Sequence, residues 1–91
     1  MPTLHMEVET ARSVQSTMSN TYQQLANLLQ SMSSSVSSLQ SAWMGPSATE
    51  FFNLYDQWKS GMNSTLENLN QMTGRLQAEI TEWEQTASKF A

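Results

Sequence analysis

LQSAWMGPSATEFF, residues 39–52, places Trp43, Gly45 and Pro46 within four positions, in a chain that has only three Gly and two Pro in 91 residues. Pro46 cannot prolong a helix containing its predecessors, because it lacks an N–H and its ring crowds the preceding turn. Gly45 tolerates the left-handed backbone with which helices end. Ser47 followed three residues later by Glu50 has the spacing of a capping box, which starts a helix. Gly45 as the cap with Pro46 in the first turn is a competing register. Both registers give a tight reversal, predicted over residues 43–47. Trp43 is the last apolar side chain before it, where its ring can pack on Phe51 or Phe52 as they enter from the other side.

Outward from this corner, apolar residues recur in alternating steps of four and three. Before it, one seam holds Val8, Tyr22, Leu29, Val36 and Trp43, and the other holds Leu4, Ala11, Met18, Leu25, Met32 and Leu39, with Gln15 the one interruption. Such spacing is helical, whereas a strand requires period two. A helix over about residues 5–42 follows. After the corner, Ala48, Tyr55, Met62, Leu69, Leu76, Trp83 and Phe90 fall seven apart. The companion seam begins at Phe51, Trp58 and Met72, but Thr65, Glu79 and Thr86 take its other places. Apolar character moves one residue on, to Leu66, Ile80 and Ala87, the drift a nearly straight 3.6-residue helix imposes on a seven-residue repeat. The second helix is predicted over about residues 47–88. At 1.5 Å per residue each arm is roughly 55–60 Å long, so residues 1–91 make one all-α antiparallel hairpin domain.

The serine-rich stretch 31–41 keeps Met32, Val36 and Leu39 on the seam and reads as a solvated helix face with small side chains, the alternative being a close-packed contact where small residues let helices approach. Gly61 and Gly74 each cost a helix interior roughly 1 kcal/mol relative to Ala. The apolar stripes are wider than one neighbour can cover: Val14, Leu28 and Ala42 broaden the first, Phe52, Leu54, Leu66 and Ile80 the second. Half-burying such side chains does not offset the ordering of two long helices. Two hairpins pairing into a four-helix bundle would cover the remaining face. Hairpin and dimer contacts are therefore assigned to Met18, Tyr22, Leu25, Leu29, Met32, Val36 and Leu39 on the first arm, and to Phe51, Tyr55, Trp58, Met62, Leu69 and Leu76 on the second.

Other chemistry is not indicated. Eight acidic against four basic residues give a net charge of −4, which repels phosphate backbones, so no nucleic-acid partner is expected. There is no Cys and a single His, His5, so thiolate metal sites and catalytic triads lack their parts. Glu79, Glu82 and Glu84 read as solvated charges rather than an acid/base pair. Asn63-Ser64-Thr65 matches a glycosylation sequon only formally, being mid-helix. No catalytic residue, metal or cofactor is assigned. The opening MPTLHMEVE has neither a basic n-region nor an apolar h-region, and no 18 apolar residues run together. A soluble chain with no cleavable signal peptide and no stable membrane insertion is expected.

A Trp43-Met44-Gly45 turn at the midpoint of a chain of about this length, joining two amphipathic helices, resembles the WXG family of small proteins exported by type VII (ESX) secretion systems. The resemblance spans the chain, including Ala48 and Phe51/Phe52 after the turn. It implies a non-enzymatic protein made in a bacterial cytoplasm and secreted without a cleaved signal. It implies an antiparallel four-helix dimer, with itself or with a sister WXG protein, that engages a type VII secretion ATPase and serves as effector, export partner or carrier. Carried over by position, Trp43 and Gly45 would be half of the export recognition surface. The other half in the family is a C-terminal Tyr-x-x-x-Asp/Glu, from which this chain departs: Trp83 is the nearest aromatic stand-in, and Ala87 stands where the acid would be. The alternative reading is a cytosolic helical adaptor or chaperone-like module that binds a partner helix. Membrane disruption is disfavoured, because the polar faces carry Ser, Gln and Glu rather than Lys and Arg.

Overall fold

The computed structural model describes residues 5–89, with side chains through residue 87. Two helices account for nearly all of it, α1 (Val8–Ala42) and α2 (Pro46–Lys89), folded back on each other as an antiparallel hairpin. Leu4 and Phe90, the outermost positions of the two seams, lie outside the described residues.

α1 begins after Glu7, whose extended backbone ends the non-helical lead. The first helical bond runs from the Ala11 N–H to the Glu7 carbonyl at 3.0 Å. Glu9 lies in the first turn, where a negative charge suits the exposed N–H groups. His5, Met6 and Glu7 thus precede the helix, although apolar spacing alone starts it at residue 5. Spacing reports which residues share a face and not where backbone bonding begins.

Of the two registers open at the corner, the chain adopts the one led by Gly45 and Pro46. Pro46 is the first residue of α2, where its missing N–H would have had no partner in any case. The Gly45 carbonyl accepts the first bond of the new helix, from the Thr49 N–H at 3.1 Å. The Ser47/Glu50 capping box does not form, because both residues are already inside the helix. Gly45 has φ 121, a conformation open to glycine and strained for other residues. That freedom serves the start of α2 rather than the end of α1, which closes on Trp43 in extended geometry (φ −141, ψ 123).

The hairpin is a rod. Its extents are 68 × 20 × 16 Å and its radius of gyration is 20.4 Å, against about 12 Å for a compact chain of this length. Two helices in one layer have no interior beyond the line along which they touch. Among the described residues only Leu29, Ala48, Leu66 and Ile80 are buried, and Ile80 is the one with no exposed surface. The exposed area, 7070 Å², exceeds the roughly 5,300 Å² of a compact monomer of this mass.

Polar ties join the arms along their length. The Ser33 and Tyr55 hydroxyls lie 2.8 Å apart, the Gln15 amide donates to the Gln77 side-chain oxygen, and Arg12 pairs with Glu84 near the open end. Gln15, the interruption in the first seam, is thereby satisfied across the interface. Glu84 faces a guanidinium, not water alone.

Candidate functional site

The corner is built from three rings. Trp43 stands at centroid distances of 5.7 Å from Phe51 and 5.9 Å from Phe52, and the two phenylalanines are 5.4 Å apart, edge to face. These separations suit tilted and edge-on aromatic contact. Beneath the rings Ala48 is 3% exposed; a larger side chain there would push the arms apart. The indole is still 36% exposed. It is a lid on the corner and also a surface feature, next to Met44, which is 89% exposed.

The two flanks of the rod differ. On one, the groove between the arms is lined by Ser33, Ser37, Gln40, Asp56 and Lys59, with Val36, Phe52 and Tyr55 at its floor. On the other, an open groove of ≈ 370 Å³ is lined by Met6, Met18, Met72 and Leu76 and rimmed by Arg75 and Glu79. The rim pair is bonded to itself, Arg75 Nε to Glu79 Oε1 at 2.9 Å. At about 100° per residue, the exposed Val14, Leu28, Met32 and Leu39 fall within roughly 40° of one another on α1. Phe51, Leu54, Trp58 and Met72 fall within roughly 60° on α2. Because the arms are antiparallel, both arcs turn toward the flank that bears the methionine groove. Apolar surface therefore runs the length of one side of the rod and faces solvent.

The residues assigned from sequence divide between the seam and this flank. Leu29 is buried; Met18, Tyr22, Leu25, Val36, Tyr55, Met62, Leu69 and Leu76 are half-buried along the seam. Met32, Leu39, Phe51 and Trp58 are exposed on the flank, Trp58 with its ring 5.8 Å from that of Tyr55. Trp43 and Gly45 sit at the turn. Trp83 is half-buried at the other end, 40 residues along α2 and turn from Trp43, hence about 60 Å away. Ala48, Leu66 and Ile80, absent from that assignment, are with Leu29 the buried ones among the described residues. The one-residue shift of the second seam is the signal that marks Leu66 and Ile80.

Among the described residues no cluster of three or more His, Asp or Glu is placed to hold a metal ion, and no helix is long and apolar enough to cross a membrane. The family model for proteins of 100 residues with WXG matches residues 3–87, and its defining triplet falls on Trp43-Met44-Gly45, the corner described above. The chain belongs to the WXG100 family. No curated protein and no solved structure matches it. WXG100 proteins are small helical proteins secreted by type VII systems and are not known as enzymes. This WXG100 chain is accordingly a small type VII secretion-associated protein, and the family implies protein partners, itself or a sister WXG protein.

Proposed function

We propose that this WXG100 protein is a non-enzymatic type VII substrate that leaves the cell as one hairpin of a four-helix dimer. The observation that carries the reading is the continuous apolar flank, Val14, Leu28, Met32 and Leu39 on one arm and Phe51, Leu54, Trp58 and Met72 on the other, exposed along a rod with almost no interior. A second hairpin laid on that flank turns two layers of helix into a bundle with a core. Export requires no cleaved leader in this reading, and the folded pair engages the secretion ATPase. Trp43 and Gly45 form the recognition element at the turn, and Trp83 stands in at the far end for the family's C-terminal aromatic. With these about 60 Å apart on one rod, a recognition surface that uses both must draw one from each chain of an antiparallel pair.

The test is deletion of the secretion ATPase in the source organism, with the protein quantified in medium and cells. Loss from the medium with accumulation inside supports the reading; equal amounts in the medium with and without the ATPase end it. A stable intracellular complex with a non-homologous protein, and none outside, would favour the adaptor reading instead. Whether the exported pair serves as effector, carrier or export partner is decided by what a deletion strain of this chain fails to secrete: other substrates are lost only in the last two roles.

A further inference from the structure

The apolar flank carries sulfur at positions where leucine would pack as well. Met72 lines the groove and is 59% exposed, and Met32, 46% exposed, lies on the same flank nearer the turn. The remaining described methionines are placed differently. Met44 stands apart at the tip of the turn, 89% exposed, whereas Met6, Met18 and Met62 are half-buried. The chain has no Cys, so no thiolate competes for an oxidant, and the exposed thioethers are the side chains most open to one.

We infer that Met32 and Met72 are modification sites: a peroxide converts their thioethers to sulfoxides, and a flank so modified no longer accepts another hairpin. This rests on the proposed dimer and adds a chemical control over it. In the step, a sulfur lone pair forms an S–O bond as the O–O bond of hydrogen peroxide breaks. The departing hydroxide takes the proton of the transferred hydroxyl and leaves as water, so sulfur is oxidised by two electrons and the peroxide is reduced. The product replaces an apolar side chain with a polar one. Its oxygen needs a donor, and the groove supplies none: Met6, Met18 and Leu76 are apolar, and Arg75 at the rim gives its Nε to Glu79. Covering an acceptor without a donor weakens association, by about tenfold or more for each sulfoxide. Pairing and oxidation therefore exclude each other. A covered flank hides its sulfurs and a bare one offers them, so the oxidant captures hairpins that have not paired. Met44, off the flank, reacts in either state and serves as an internal reference.

The test takes affinity-tagged protein from the source organism together with whatever hairpin it holds. Its mass is read by light scattering before and after graded hydrogen peroxide, and sulfoxides are located by peptide mass spectrometry. Met44 is expected to oxidise first. Met32 and Met72 should follow only as the assembly dissociates, with the mass falling toward that of separate chains, helical circular dichroism retained, and methionine sulfoxide reductase restoring the complex. A chain carrying both Met32→Leu and Met72→Leu should keep its partner at the same dose. Met72→Gln sets an amide where the sulfoxide would be, and at an exposed helical position it should fold. Without any peroxide it should pair about tenfold or more weakly, and Met44→Gln should pair as wild type does. Met72→Gln pairing as tightly as wild type overturns the inference. So does a double leucine variant that falls apart under peroxide as readily as wild type, or a wild type whose Met32 and Met72 stay unoxidised after Met18 and Met62 have reacted. The two readings fail separately: protein isolated as a single chain before treatment sinks the dimer and the inference with it, and an assembly that tolerates sulfoxides at Met32 and Met72 sinks the inference alone.

Discussion

Replacing Trp43 with Ala separates the two jobs assigned to the indole. A fully buried large aromatic truncated to Ala costs about 3–5 kcal/mol. Trp43 retains 36% of its exposure, so about two-thirds of that cost applies, roughly 2–3 kcal/mol. Phe51 and Phe52 lie within 6 Å of the ring, and Phe51 is itself 39% exposed, free to lean into the vacated space; the loss should fall near the lower end, about 2 kcal/mol. Urea unfolding followed by far-ultraviolet circular dichroism reads this as a midpoint lowered by about 1 M, for an m-value of about 2 kcal/mol/M. Variant and wild type must be compared at one protein concentration, since any self-association makes the midpoint concentration-dependent. A midpoint displaced by less than about 0.25 M, or about 0.5 kcal/mol, would refute the claim that the ring holds the corner. If Trp43→Ala folds under growth conditions and still fails to leave the cell, recognition at the turn is supported apart from stability.

Other perturbations probe the rest of the rod. Ile80→Ala removes the one described side chain with no exposed surface and should cost about 2–5 kcal/mol in the same urea titration, fraying the open end that Trp43→Ala leaves intact. Gly45→Ala places a Cβ where φ is 121 with nothing within 4 Å to collide with; the penalty is backbone strain alone, about 1–3 kcal/mol, seen as a lower melting temperature. Gly74→Ala, in a helical position with open space around the new methyl, should instead raise stability by about 0.5–1 kcal/mol. Arg12→Ala breaks a half-exposed ion pair with Glu84 and should cost at most about 1 kcal/mol; the difference from wild type should shrink further in high salt.

The hairpin is legible in the sequence because its two periodic stripes and its break are separate signals that agree. Tyr22, Leu29 and Val36 mark one arm and Tyr55, Met62 and Leu69 the other, and Gly45-Pro46 admits only a reversal. The choice between capping registers is not legible, since Ser47/Glu50 and Gly45/Pro46 carry comparable local signals and the geometry of the returning arm decides between them. A strict seven-residue count also assigns Met32 and Thr65 to the seam, where the helices in fact present Ser33 and Leu66, one residue on. At 3.6 residues per turn the contact line moves about 20° around the helix per heptad, so the error is roughly 40° after four turns and reaches a whole position over about ten, the length of an arm. The same movement leaves Met32, Leu39, Phe51 and Trp58 on the flank instead of between the arms. The cross-arm partners, Gln15 with Gln77 and Arg12 with Glu84, depend on how far the arms slide past each other. Only the corner, once built, sets that offset.

The slender section of the rod has a bearing on transit. A globule of 91 residues is about 30 Å across in every direction, whereas this backbone measures 20 × 16 Å normal to its long axis. Travelling end-on, with the indole corner leading or trailing, a hairpin needs an aperture little wider than two side-by-side helices. A twin laid on the oily side thickens the section in one direction alone. A conduit that admits such a cargo need not melt it, and it can bar rounder cytoplasmic proteins of equal mass by width alone.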